Sequence, residues 1–290
     1  VKNPVGLTGR ELQADVHLIF VNETEVEELT EAVNRAKLEV DSIVLNPYAS
    51  AKATLMEEDK TMGVALIDIG EGTTDIIIYK NNKLIYAKSL PLGGMHYVND
   101  ISYLFQISKQ EAFEILSKLK DKDIHEDHIF CGDTKKVSVA DIKNIIDART
   151  EDIISFITQT IEESGFNGYL GKGLVLTGGA IVIDGLLEKI NKKTGYVVRK
   201  VLPHAFRGLE DVDASMATVI GIFSEIMEEE YNKMQSGFYS QQNESEDPSK
   251  IVTEEAEEDD LDKLLEDEKN SSKKKSGTLS SIKNWFSNFI

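Results

Sequence analysis

Hydrophobic and polar positions alternate along this chain with two periods, and the changes of period mark its elements. The clearest stretch is Gly63–Tyr79: an apolar run, Val64 to Ile67, ends on Asp68, a polar segment follows, and a second β-branched run covers Ile76 to Ile78. Two short apolar runs around a Gly-rich turn predict buried strands joined as a hairpin. Upstream, Ala14–Val21 reads as a strand with Val16, Leu18 and Phe20 on one face, and Val40–Leu45 as another. Between them Glu23–Ala36 has helical spacing, with Val26, Leu29, Val33 and Ala36 along one stripe. Pro47 opens a short helix, Tyr48–Met56, rich in small residues: Ala49, Ser50, Ala51 and Ala53. Such a helix can pack closely or lie on the surface; composition leaves both open.

Downstream, Asn81-Asn82 predicts a tight turn into a strand at Lys83–Leu90, ended by Gly93-Gly94. Tyr97–Lys120 is largely helical, and Val137–Val139 suits a short strand. A long helix starts at Ser138 or Asp141 and reaches Ser164, with Ile142, Ile145, Ile146, Ile153, Ile154, Ile157 and Ile161 on its apolar face, stopped by Gly165 and Gly168. Gly173–Ala180 predicts a buried strand running into a Gly-Gly turn, then a helix over Ile183–Asn191. A strand at Val197–Val201 and a helix over Ala214–Glu229 complete an α/β body.

The last part of the chain has other patterns. Ser236–Ser276 is polar and acidic without periodic hydrophobics, the composition of a disordered linker. In Gly277–Ile290, Leu279, Ile282, Trp285, Phe286, Phe289 and Ile290 share one arc of about 140° on a helical wheel. Lys283 sits on the polar side, and Lys273 to Lys275 precede the helix, suited to anionic headgroups. The pattern predicts an interfacial membrane anchor with Trp285 at headgroup depth; docking on the body or on a partner groove is the alternative.

Composition narrows the partners. The 290 residues are 41% hydrophobic and 29% charged, with a net charge of −19, which argues against a nucleic-acid partner. Acid is concentrated between Glu244 and Glu268, where only Lys250 and Lys263 oppose it. Cys131 is the single cysteine, so no internal disulfide forms and a reducing compartment fits. No apolar run is long enough to span a bilayer. Val1 begins in mid-pattern, so the chain reads as truncated.

Candidate chemistry centres on the hairpin turn. Gly70 and Gly72 lack a Cβ, allowing a sharp bend and close approach of an anion to backbone N–H groups. Thr73 and Thr74 add hydroxyls, and Asp68 stands where it can hold a metal-bound water. A phosphate-binding hairpin is the functional reading; a polar-turned hairpin is the plain one. His17 has no second ligand near it, and His96, His125, His128 and His204 are scattered, so neither a protein-ligated metal nor an acid–base constellation is expected.

Three segments in order, Asp68–Ile76 (DIGEGTTDI), Val175–Ala180 (VLTGGA) and Ala217–Gly221 (ATVIG), resemble the second phosphate loop, adenosine motif and second connecting helix of the actin-like ATPase superfamily, with Tyr48–Leu55 as the first connecting helix. Within it the chain resembles the FtsA family of bacterial cell-division proteins, most specifically at Asn3–Ile19, Gly63–Ile76 and Leu92–Ile101, and in the linker ending in an amphipathic helix. The resemblance implies a partial actin-like fold divided as follows: 1–42, remainder of the inserted FtsA-type subdomain; 43–62, connecting-helix region; 63–97 with 166–205, nucleotide-binding core; 98–165, outer subdomain; 206–235, second connecting helix; 236–276, linker; 277–290, membrane helix. The family's first phosphate loop is expected upstream.

The resemblance further implies ATP with Mg2+. Gly70, Glu71, Gly72, Thr73 and Thr74 match the β- and γ-phosphate loop, Asp68 the acid near metal and attacking water, and Gly178, Gly179 and Ala180 the turn against the nucleoside. Glu71 stands where family loops commonly carry Gly, and Ala112-Phe113-Glu114-Ile115-Leu116 replaces an Ala-Glu-x-x-Lys adenine clamp. Arg149 and Asp152 match positions on the side that receives the FtsZ C-terminal tail. The implied role is an adaptor at most weakly active as an ATPase. It would self-assemble and link FtsZ and other divisome proteins to anionic lipids at the cytoplasmic face of the inner membrane, at the septum. A PilM-type scaffold and an ATP-dependent phosphotransferase are the alternatives.

Overall fold

In the computed structural model the residues described are 8–11, 13–14, 16–120, 127–131, 135–181, 185–204, 209 and 211–244. The predicted hairpin forms: β1 (Val64–Ile69) and β2 (Thr74–Lys80) are antiparallel, with Ile67 opposite Ile76 and Asp68 opposite Asp75. β3 (Lys83–Leu90) returns along β2 through Asn81 and Asn82, whose φ values of 51° and 59° suit a tight hairpin turn. On the other edge of β1 the chain returns in parallel. β6 (Leu174–Thr177) pairs with β1 and β7 (Val198–Lys200) with β6, giving the order β3-β2-β1-β6-β7.

All of β1 is buried because both sheet faces are covered. Ala65, Ile67 and Ile69 pack with Ile153, Ile154, Ile157 and Ile161 of α6 (Val139–Glu163) and with Leu186 and Ile190 of α7 (Leu186–Thr194). Val64 and Leu66 join Ile77, Tyr79 and Val175 against Ala51 of α2 (Asn46–Thr54) and Leu55 just beyond it. Side chains alternate along a strand, so Asp68 faces the α2 side with Val64 and Leu66. The small residues of α2 are used for packing: Ala49, Ser50, Ala51, Ala53 and Thr54 are all buried. Its neighbour is α8 (Ala217–Glu244), preceded by a 3₁₀ turn at Ala214–Met216.

A second core lies beside the sheet. It joins α4 (Met95–Phe105), α5 (Lys109–Lys120), the ribbon of β4 (His128–Cys131) with β5 (Lys135–Ser138), and the start of α6, through Val98, Ile101, Ala112, Ile115, Ile129, Val137, Val139 and Ile142. The 25-residue α6 therefore serves both cores. Ser138 rather than Asp141 begins it, since the Ser138 side chain accepts the Asp141 N–H.

Several expectations change. The strands expected at 14–21 and 40–45 do not form among the described residues; no neighbouring strand offers them a ladder, and Phe20 is 87% exposed. α1 (Glu23–Arg35) forms, capped by Asn22, yet none of its stripe is buried. α3 (Glu57–Met62) and β4 were not foreseen; both are too short for periodicity to reveal. Gln106, in the left-handed region at φ 51°, divides the expected Tyr97–Lys120 helix into α4 and α5. α8 passes the expected end at Glu229 and reaches Glu244, into the sequence read as linker; Glu230, Lys233, Met234 and Gln235 favour helix just past the expected end. Residues 1–233 form one compact unit; of the second, 234–290, only the helical course to Glu244 is described, so the amphipathic segment of Leu279, Ile282, Lys283, Trp285, Phe286, Phe289 and Ile290 lies outside the described residues.

Candidate functional site

β1 and β6 are parallel neighbours, so the loops leaving their carboxyl ends emerge side by side. Those loops are the two Gly-rich segments, and in open α/β sheets this end of the strands is where ligands bind. The loop after β1 is closed by the Gly70 N–H donating to the Thr73 carbonyl at 2.9 Å. It is then docked on the start of α4: Gly94 N–H donates to Gly70 O (2.9 Å) and Met95 N–H to Glu71 O (2.7 Å).

That docking fixes where the loop's donors point. In a trans peptide the C=O and the following N–H face opposite ways. Since the Gly70 and Glu71 carbonyls point at α4, the N–H groups of Glu71 and Gly72 point together away from it. Among the described residues neither meets a protein acceptor. Two successive outward N–H groups form an anion-binding concavity, and a Cβ at Gly72 would meet nothing within 4 Å. The loop approaches α4 closely: a Cβ on Gly93 would lie 2.6 Å from the Glu71 oxygen. The bend itself needs no unusual glycine geometry, as Gly70 and Gly72 both keep negative φ.

The side chains divide by role. Glu71 and Thr73 are exposed on the loop, Glu71 free to turn outward. Thr74 is buried, and its hydroxyl donates to the Leu92 carbonyl at 2.6 Å, so it braces the loop against the α4 approach instead of facing the cleft. Asp68 is 8% exposed, and Ser50 of α2 donates to its Oδ2 at 2.6 Å. Burial pushes the Asp68 carboxyl above its ordinary range; the Ser50 hydroxyl opposes this and the facing Asp75 reinforces it. Asp68 and Asp75 oppose each other across the hairpin, both buried, at the mouth of the loop.

The second turn, Gly178 to Ala180, is clamped from two sides. Gly178 N–H donates to the Ala214 carbonyl (3.1 Å) and Ala180 N–H to Ile69 O (3.0 Å). Gly178 has φ 98°, and a Cβ there would run into Asp68 Oδ1 and the Ile69 carbonyl. Gly179 borders Ser215, whose N–H (2.7 Å) and hydroxyl both donate to Asp213. A Cβ on Gly94, at the start of α4, would come 3.1 Å from that of Ala180, and the Ala180 bond to Ile69 O sets the second turn against the root of the first loop. Backbone donors on one loop, glycine-lined space beside it and a carboxylate pair between strands suit a phosphate-bearing ligand with its cation.

Other candidate residues lie elsewhere. Arg149 is committed: its guanidinium donates to both oxygens of Asp100 (2.6 and 2.9 Å) and approaches Asp152 at 3.3 Å, tying α6 to α4. In the segment expected beside adenine, Ala112 and Ile115 are buried in the second core, Leu116 packs against both cores, and Phe113 is 55% exposed. Sequence reasoning missed Ser50, Gly93 and the Ala214 carbonyl. The small-residue helix and the Gly-Gly pair were visible signals, but what they touch was not.

A sheet of this order, clad on both faces, with two neighbouring Gly-rich turns at parallel strand ends and two helices in contact behind them, defines an actin-like ATPase fold. Solved structures share it at 18% identity: MreB 5 of Spiroplasma citri bound to AMPPNP (TM-score 0.57, covering 75% of this chain and 68% of that one) and a PilM–PilN type IV pilus biogenesis complex (TM-score 0.52, 68% and 56%). The family model described as Cell division protein FtsA matches residues 65–221, more than half of the chain, which therefore belongs to the FtsA family. Proteins called Cell division protein FtsA are 29% identical over 248 residues in Helicobacter pylori (77% of this chain, 49% of the relative) and 30% identical over 256 residues in Agrobacterium fabrum (83% and 58%). The chain thus spans about half the length of the curated relatives it matches.

Proposed function

We propose that this chain is the nucleotide-binding and membrane-linking portion of a cell-division adaptor. It binds ATP with Mg2+ at the two Gly-rich turns, assembles with further copies of itself, and tethers FtsZ filaments to the cytoplasmic face of the inner membrane. The observation that carries the nucleotide part is the outward pairing of the Glu71 and Gly72 N–H groups beside the Gly178–Ala180 turn, in a chain of the FtsA family. Glu71, Gly72 and Thr73 would contact phosphate, with Gly70 and Thr74 shaping the loop; Gly178, Gly179 and Ala180 would line the nucleoside side. Asp68 and Asp75 would steady the cation through its water. The nucleotide and cation would supply the phosphoanhydride chemistry when bound, and their binding would act as an assembly signal.

The membrane part rests on the amphipathic face of Leu279, Ile282, Trp285, Phe286, Phe289 and Ile290 with its basic flank, which suits anionic lipids. Family membership is what supports self-assembly and contacts with FtsZ and other divisome proteins. Because Arg149 is already paired with Asp100, it would shape the outer subdomain that receives the FtsZ tail rather than meet an acidic group directly.

The test is binding of a fluorescent ATP analogue to the full-length protein. Micromolar binding that Gly72→Val weakens at least tenfold, with the fold intact, supports the reading. No binding by the wild-type protein sinks the nucleotide part. Binding of ATP without any binding of an FtsZ C-terminal peptide would favour a PilM-like scaffold.

A further inference from the structure

One carboxylate joins three elements that are far apart in sequence. Asp68 is the penultimate residue of β1, Ser50 lies in the middle of α2, and Thr218 lies in the first turn of α8. Ser50 Oγ is 2.6 Å from Asp68 Oδ2 and 2.9 Å from Thr218 Oγ1. Donor counting sets the direction. A serine hydroxyl has one hydrogen, and here it goes to the carboxylate, so Ser50 can only accept from Thr218, whose hydroxyl also lies within hydrogen-bonding reach of Asp68. Thr218, Ser50 and Asp68 form one hydrogen-bonded cluster. Linked hydrogen bonds polarise one another; Ser50 is wholly buried and Asp68 nearly so, while Thr218 is half-buried at the outer edge.

Each end of this cluster abuts something that matters. At one end the second carboxylate oxygen, Asp68 Oδ1, rests against Gly178, in the turn assigned to the nucleoside, while Asp75 faces Asp68 beside the phosphate loop. At the other end Ser50 and Thr218 flank the contact of α2 with α8. Ala49, next to Ser50, presents its carbonyl to Gly221, one turn on from Thr218, so closely that any Cβ at position 221 would collide with it. The Ser50–Thr218 bond lies beside this backbone contact and ties the two helices together there.

We infer that Ser50 and Thr218 are positioning residues that couple the nucleotide turns to the α2–α8 contact, through the Asp68 carboxylate. A ligand that draws on Asp68 or displaces Gly178 alters the pull on Ser50, and the two helices respond together. The inference rests on the nucleotide-binding reading and deepens it: it says how occupancy of that site reaches elements that do not touch the ligand. A cluster that only satisfied buried polar atoms would stabilise the fold without responding to ligand.

The experiment is hydrogen exchange of the α2 and α8 amides in the full-length protein, with and without Mg-ATP, alongside binding of a fluorescent ATP analogue. In the wild type, Mg-ATP is expected to change exchange in both helices at least fivefold. Thr218→Val, nearly isosteric, and Ser50→Ala are expected to bind the analogue yet lose that response to within twofold of no change, whereas Thr218→Ser, which keeps the hydroxyl, retains it. Should Ser50→Ala not fold, Thr218→Val and Thr218→Ser carry the comparison. A full ATP response in Thr218→Val overturns the coupling, as does wild-type binding with no response in either helix. Folded variants that lose analogue binding altogether make these residues ligand contacts and also overturn it. Absence of analogue binding by the wild type removes the nucleotide reading itself.

Discussion

Gly221 of α8 touches the Ala49 carbonyl of α2 with no room for even one more carbon between them. The contact joins the helices that lie before and after the sheet and its two Gly-rich turns, and it explains why a small residue stands at Ala49, while Ala51 packs on the sheet. Adding a methyl at position 221 forces the helices apart. Gly221→Ala is expected to cost about 1–3 kcal/mol of stability, read as a lower urea midpoint with an unchanged m-value. Gly168→Ala, at a glycine with nothing within 4 Å of an added Cβ, is the control and should move stability far less.

Gly178 and Gly72 should separate fold from ligand. At Gly178 the φ of 98° and the Asp68 and Ile69 oxygens both exclude a side chain. Gly178→Ala is expected to lose about 2 kcal/mol or more through strain and collision, and ATP binding with it. Gly72 borders open space, so Gly72→Ala should leave stability within about 0.5 kcal/mol while weakening ATP binding. Equal thermal shifts for the two variants would contradict this assignment.

Stability should depend on pH through two carboxyls of opposite behaviour. Burial works against ionisation of Asp59, but the Arg199 guanidinium and the Met56 N–H outweigh it and hold the group below its usual range. Its contribution is present above the unfolded-chain value of about 4 and is lost as pH falls through the lower folded value. Asp68 is raised by burial, so the folded chain holds its proton to higher pH than the unfolded chain does. The cost of ionising it grows as pH climbs from about 4 through the raised value. Urea midpoints between acid and neutral pH should therefore fall less steeply on the alkaline side in Asp68→Asn, and less steeply on the acid side in Asp59→Asn.

The Arg149–Asp100 pair is bidentate and about three-quarters shielded, unlike most exposed pairs. Beside it the Tyr97 hydroxyl lies 3.1 Å from Thr150 Oγ1, and burial pushes the Tyr97 phenol up to about 12. A double-mutant cycle of Arg149→Ala with Asp100→Ala is expected to show a coupling of about 1–2 kcal/mol. If Arg149 serves as a clamp, both single variants should weaken FtsZ-tail binding alike; a direct contact would make Arg149→Ala far worse than Asp100→Ala.

For the tail, Trp285→Glu replaces the largest apolar side chain of the arc with a charge. Co-sedimentation of the full-length protein with anionic liposomes should drop by at least tenfold, while ATP binding stays unchanged. Wild-type levels of liposome binding by this variant would end the anchor assignment.

Local patterns were enough for the elements whose burial is nearly complete. The Val64–Ile67 and Ile76–Ile78 runs announce β1 and β2, and the Ile142–Ile161 stripe announces α6, because period two and period 3.6 are set by backbone geometry within a few residues. The Gly-rich turns were legible for the same reason, and so was membership of a known family through DIGEGTTDI and VLTGGA. The apolar alternation at 14–21 misled, since a strand exists only where a neighbour completes its ladder.

Tertiary structure alone decided what each polar group does. Thr74 looked like a phosphate donor but braces Leu92; Arg149 looked available but is paired with Asp100; Ser50 looked like a small spacer but holds Asp68. Which way the Glu71 and Gly72 N–H groups face depends on α4, more than twenty residues later, and the Ser50–Thr218 bond joins residues 168 positions apart. A hydrogen bond needs both partners placed to within a few tenths of an ångström. Hydrophobic periodicity carries no information at that scale, so the sequence could identify the turns and the fold, and only the packed chain could assign their donors and acceptors.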